Sequence, residues 1–259
     1  MERLATQEKR NGISRTALRL WGMFFIALGI CGQGLIQNRL LGMGTVSTDQ
    51  LLQAMTENDT VMGLVTASLA LQAVQTCGVP IFCFLLVEGF LHTKNAVKYL
   101  LRVAGVAALS ELPYNLAMSG SLWDASSRNP AFGLAMALLM LVFYQRFGGK
   151  GFGAVMLKLL ITFAAILWCA ILSIRDGQCC VLMVALLWAC RNAKHMKSFA
   201  GCVAAACCTV FSPFYLAAPM GVLAIHGYRG DRGEENRLVN YLAYPALLLA
   251  VGLAGMFLM

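Results

Sequence analysis

The sequence predicts an all-α protein, a polytopic transmembrane helical bundle of about eight or nine spanning helices with short broken segments. Three observations predict it. Apolar stretches long enough to cross a bilayer recur from Leu20 to Met259, and the gaps between them alternate in charge. Hydrophobic residues make up 59% of the 259-residue chain and charged residues 12%, with a mean hydropathy of +0.71, so a water-soluble fold would have nowhere to hide its surface. The period-two alternation of a membrane barrel is absent, whereas a helix meets its backbone hydrogen bonds internally.

Taken in order, the elements form a single integral membrane domain over 1–259. Residues 1–16 are a polar, basic cytoplasmic segment carrying Arg3, Lys9, Arg10 and Arg15, and a first spanning helix covers 17–37. That run is too long for a cleaved signal peptide. Residues 39–60 carry Asp49, Glu57 and Asp59, and the start signal Ser47-Thr48-Asp49 predicts a short surface helix in an external loop. The second membrane segment, 61–91, is interrupted by Gly78 and Pro80. A third helix covers 97–118, a fourth runs from Pro130 to Arg146, and a fifth covers 152–173. Ile174-Arg175-Asp176-Gly177 is the outer turn before a short sixth helix, 178–190. Two short pieces, 198–210 and 214–225, hinge at Ser212-Pro213 as separate crossings or a re-entrant pair, and 238–258 is the last helix.

With the amino terminus cytoplasmic, the basic clusters at 3–19, 94–102, 146–150, 191–197 and 229–237 all fall inside. These clusters sit at segment ends rather than along a stripe, so the +8 formal charge reports membrane orientation and no nucleic-acid partner is expected. The partner is the lipid bilayer. None of the ten cysteines has a C-x-x-C spacing, and most lie in apolar helices where a thiol packs as a small hydrophobe, so no metal is expected.

Ionisable groups inside the bilayer are costly, and they mark where chemistry is to be sought. Glu88 and His92 share one helical face, ~6 Å apart along the axis, as a carboxylate that orients an imidazole base would. Arg102, Glu111 and Asn115 lie in the third helix, with Pro113 freeing a carbonyl one turn back. Lys158 snorkels to the inner surface, and His195 and His226 read as surface histidines.

The stretch VPIFCFLLVEGFLHTKNAVKYLLRVAGVAALSELPYNLA, Val79 to Ala117, resembles the signature region of the TraX family of bacterial membrane proteins. Weaker echoes follow at Asn129-Pro130, Asp176-Gly177, 226–230 and 241–245. The resemblance implies a membrane-embedded acyltransferase of the bacterial cytoplasmic (inner) membrane, a multi-pass protein that takes acetyl groups from cytoplasmic acetyl-CoA. Its acceptor would be an amine or hydroxyl of a membrane or envelope component, such as a pilin-like protein in conjugation. Many TraX-like proteins carry an Asp-His pair in the first spanning helix. Here that region reads ALGICGQGLIQNR, and Gln33 can hold a substrate but cannot shuttle a proton.

The roles that follow are His92 as general base, oriented by Glu88; Lys94 and Lys98 with Arg102 attracting the CoA phosphates; and Glu111, Asn115 and Gln33 contacting the acceptor. Two alternatives belong to other classes. One is a permease for a small polar solute, its site framed by the breaks at Pro80, Pro113 and Pro213; the other is a non-catalytic membrane assembly partner.

Overall fold

The computed structural model describes residues 12–42, 46–149, 151–191, 196–228, 230 and 237–257. Arg3, Lys9, Arg10 and His195, named above among the surface groups, lie outside the described residues, as does Lys194 of the 191–197 cluster. Among the described residues the fold is all-helical, and two isolated bridges, Ile13 with Tyr228 and Arg128 with Ile174, are its β-type contacts.

Helix α1 (Arg15–Ile30) starts at Ser14, whose side chain accepts the Ala17 N–H, and continues without a break as a π-helix, Cys31–Leu40. The external loop holds α2 (Thr48–Glu57). It opens on the expected signal, with Ser47 and Gln50 closing a reciprocal capping box. The expected second segment is two helices, α3 (Asp59–Thr76) and α4 (Gly78–His92), joined at Cys77. Pro80 falls in the first turn of α4, where its missing N–H is not needed, so the chain restarts a helix there instead of bending one.

After α4 come α5 (Ala96–Met118), which runs through Pro113, then α6 (Ala131–Arg146), α7 (Phe152–Ile171) and α8 (Gly177–Ala189). The chain then forms α9 (Met196–Cys208), a 3-10 turn (Pro213–Ala217), α10 (Pro219–His226) and α11 (Arg237–Phe257).

Helices α9 and α10 form a hairpin. Ser198 Oγ lies 3.1 Å from His226 Nδ1, which brings its two feet together. Its tip enters the bundle at the α3–α4 break, where Thr76 Oγ1 donates to the Phe214 carbonyl at 3.0 Å and the Cys77 thiol to the Ala217 carbonyl at 3.2 Å. Of the eight or nine spans expected, three are long and apolar enough to cross a membrane: Arg15–Leu40, Asp59–His92 and Phe152–Ile171. Shorter apolar helices cover Ala131–Arg146, Gly177–Ala189, Ser198–Cys208, Pro213–His226 and Tyr241–Phe257, two of them forming the hairpin, while α5 has the length of a span but carries Lys98, Arg102 and Glu111.

Small residues bring the helices close. A Cβ at Gly22 would meet the Phe82 ring at 2.8 Å, and one at Gly78 would meet the Gly22 carbonyl at 2.9 Å, so α1 and α4 touch through their backbones. The main core joins α4, α6 and α8 around Ile81, Leu138, Met140 and Val184, all at most 1% exposed. A smaller core packs Ile30 and Tyr114 on Leu248 and Val251 of α11.

Candidate functional site

A cavity of about 520 Å³ runs along the inside of α1, α4, α5 and α11. At one mouth it is lined by Arg15, Arg19, His92, Tyr99 and Arg102. Arg15 and Arg19 are four residues apart and share a face of α1, so with Arg102 from α5 three guanidinium groups converge on one opening. A rim of one charge sign with apolar walls concentrates anions. Away from that mouth the wall is lined by Tyr114, Arg175, Asp176 and Tyr244, and by Gln33 and Gln75.

His92 closes α4 at the arginine mouth, exposed. The carboxylate–imidazole pair expected from the sequence is not formed. His92 Nδ1 lies 2.9 Å from the backbone carbonyl of Glu88, one turn back in α4. Accepting at that carbonyl selects the Nδ1–H tautomer and leaves Nε2 as a proton acceptor. The Glu88 carboxylate turns instead to Tyr228, whose hydroxyl donates to Oε1 at 2.5 Å. Tyr228 is held edge-on to Phe84, ring centroids 5.4 Å apart, and its strand-like contact with Ile13 ties the chain before α1 to the same place. Glu88 Oε2 is buried without a hydrogen-bond partner among the described residues. A second pocket, about 80 Å³, lies between Glu88, His92 and Arg191, so the His92 ring borders both spaces.

Lys94 and Lys98 are exposed beside the mouth and line neither space. Glu111 and Asn115 do not face the cavity either. Glu111 Oε2 accepts the backbone N–H of Asn129 at 3.2 Å, and its Oε1 lies 3.7 Å from Arg128 Nη1. Asn129, fully buried, donates to the Ala107 carbonyl and accepts at Oδ1 from the Ala131 N–H and the Tyr244 hydroxyl, both 2.9 Å. The polar cluster expected around Pro113 therefore clamps the 119–130 loop and the start of α6. The Asn115 carbonyl takes the Ser119 N–H at 2.8 Å, which ends α5.

Of the residues singled out from the sequence, the structure thus brings His92, Arg102 and Gln33 to one cavity and leaves the others around it. Sequence reasoning passed over Arg15 and Arg19 because they read as orientation charges, and Asp176 because it read as a turn. The acid followed by glycine at a helix start was the available signal for Asp176. It adopts a left-handed backbone, φ 54°, just before α8, and its Oδ2 stands 3.9 Å from Arg175 Nε. Asp and Asn tolerate this conformation better than other non-glycine residues. Gln75 lies directly over Gly29, whose missing Cβ makes its room. All ten cysteines are free thiols, and among the described residues no cluster of His, Cys, Asp and Glu has the makings of a metal site.

A family model described as TraX protein matches residues 39–254. No curated protein and no solved structure matches the chain.

Proposed function

The chain belongs to the TraX family, and on that premise we propose that it is a membrane-embedded acyltransferase that moves acetyl from cytoplasmic acetyl-CoA to an amine or hydroxyl of a membrane or envelope acceptor, pilin-like protein or surface component. One observation carries the reading: a cavity of about 520 Å³ whose mouth gathers Arg15, Arg19 and Arg102 beside His92. CoA is a polyanion on a long, thin arm. Guanidinium groups bind phosphate oxygens in pairs, and a narrow interior accepts the arm behind them. Lys94 and Lys98, exposed at the same end, add to the field that draws the donor in. His92, expected from the sequence to be the base, stands among these groups and takes the role of donor capture, its Nε2 free for a proton. Gln33, far from the mouth, belongs to the acceptor side.

Purified protein in lipid nanodiscs, given acetyl-CoA, is expected to release free CoA. Arg102→Ala is expected to raise KM for acetyl-CoA roughly tenfold or more, the range of a lost charge-assisted contact. His92→Ala is expected to raise KM with a smaller effect on kcat. Loss of kcat with donor binding intact would instead return the proton transfer to His92. Absence of acetyl-CoA binding in the unmodified protein would remove the reading.

The length of the cavity favours one second reading, a permease for a small polar solute. Flux into liposomes without any acyl donor would select it.

A further inference from the structure

We infer that the acyl carbon is delivered deep into the cavity, to Asp176, and that this carboxylate is the proton acceptor of the transfer. The inference rests on the acyltransferase reading and fixes where in the cavity its chemistry occurs.

Depth comes first. Trp188 on α8 packs edge-on against Phe90 of α4, with ring centroids 5.4 Å apart, so α8 ends level with the His92 mouth. From Trp188 back to Asp176 is twelve residues of α8 and its cap, about 18 Å at 1.5 Å per residue. Along α4, Cys83 reaches the carbonyl of Cys180, one turn from Asp176, and His92 lies nine residues further on, which agrees. A donor whose phosphates rest on Arg15, Arg19 and Arg102 has its thioester at the end of the extended pantetheine arm, and that arm matches this span. The thioester therefore passes His92 and stops near Asp176.

Charge comes second. Among the described residues lining the cavity, Asp176 is the one carboxylate, and the guanidinium groups are those of Arg15, Arg19, Arg102 and Arg175. The left-handed backbone at Asp176 and the start of α8 hold its position. Arg175 Nε at 3.9 Å is beyond hydrogen-bond length, so the carboxylate stays open to a substrate while a guanidinium stands beside it. Room comes third. Gln33, Gln75 and Tyr114 line the same cavity, so an acceptor has room in it beside the donor.

The step balances with these groups alone. Asp176 takes the N–H or O–H proton of the acceptor as its nitrogen or oxygen bonds to the acetyl carbonyl carbon. Arg175 faces the oxyanion that forms. The carbon–sulfur bond then breaks, and the proton passes from Asp176 to the departing thiolate, which leaves as free CoA and returns the carboxylate to its starting state.

Two measurements on the full-length protein in nanodiscs test this. Asp176→Asn keeps the shape and tolerates the left-handed backbone, and it is expected to lower kcat about 100-fold or more, with KM for acetyl-CoA unchanged. In the second, CoA activated as its pyridyl disulfide is offered to Val79→Cys and His92→Cys, two cavity-lining positions on α4 about 20 Å apart. Peptide mass mapping is expected to find CoA on residue 79 and none on residue 92. Full kcat in Asp176→Asn, or labelling at 92 and not at 79, overturns the inference and leaves the acyltransferase reading standing. Absence of acetyl-CoA binding by the unmodified protein overturns that reading itself.

Discussion

Tyr228 and Glu88, 140 positions apart in the chain, show how a single distant side chain decides where a carboxylate of α4 turns. The helical spacing of Glu88 and His92 rightly places both on one face, yet spacing cannot rank a local partner against a distant one. Here the distant hydroxyl wins the carboxylate and a backbone carbonyl takes the imidazole. Tyr228→Phe strips Glu88 Oε1 of its donor while Oε2 already lacks one. It is expected to lower stability by about 1–3 kcal/mol, the cost of a buried acceptor left unmet. Glu88→Gln in the same background is expected to recover part of that loss. Unfolding followed in detergent with both single variants and the double variant checks it; strictly additive effects would mean that the hydrogen bond carries no energy.

Helix contacts here are set by glycines, and which glycines matter follows from what surrounds them. Gly133 of α6 faces the Cα of Gly177 in α8, where a Cβ would come within 2.7 Å of backbone that cannot turn aside. Gly105 of α5 has nothing within 4 Å of its Cβ position. Gly133→Ala is expected to destabilise by about 1–3 kcal/mol as the helices are forced apart. Gly105→Ala is expected to be neutral or to stabilise by up to about 1 kcal/mol through helix propensity. Thermal unfolding of the two variants side by side checks this, and equal shifts would contradict the close packing of α6 on α8. The helices themselves were legible. Residues 130–146, 152–173 and 178–190 read as helices, and α6, α7 and α8 fall on them within two residues or so. The π-helix over Cys31–Leu40 was not legible, because a lengthened turn leaves the apolar run unchanged and depends on what Gly32 and Gly34 meet on α3 and α5.

At the scale of the whole molecule, the hairpin of α9 and α10 sets how the chain is threaded. Its feet meet at Ser198 and His226, so cysteines placed at 198 and 226 are expected to react with an impermeant thiol reagent from one side of the membrane. A cysteine at Ser47, beyond the far end of α1, is expected to react from the other side, with peptide mapping separating these from native cysteines. Labelling of 198 and 226 from opposite sides would make α9 and α10 separate crossings. The sequence by itself determined that the protein is helical and suited to a membrane, where most helices begin and end, and which family signature it carries, since apolar length, charge placement and local motifs are properties of neighbours along the chain. Only the tertiary structure decided which ionisable groups share a space. Arg15, Arg19, His92 and Arg102 meet at one mouth and Asp176 lies within, while Glu111 turns away to hold a loop. The physical reason is that a cavity is made by residues from helices far apart in sequence, and the rotation of each helix about its axis follows from its contacts with all the others.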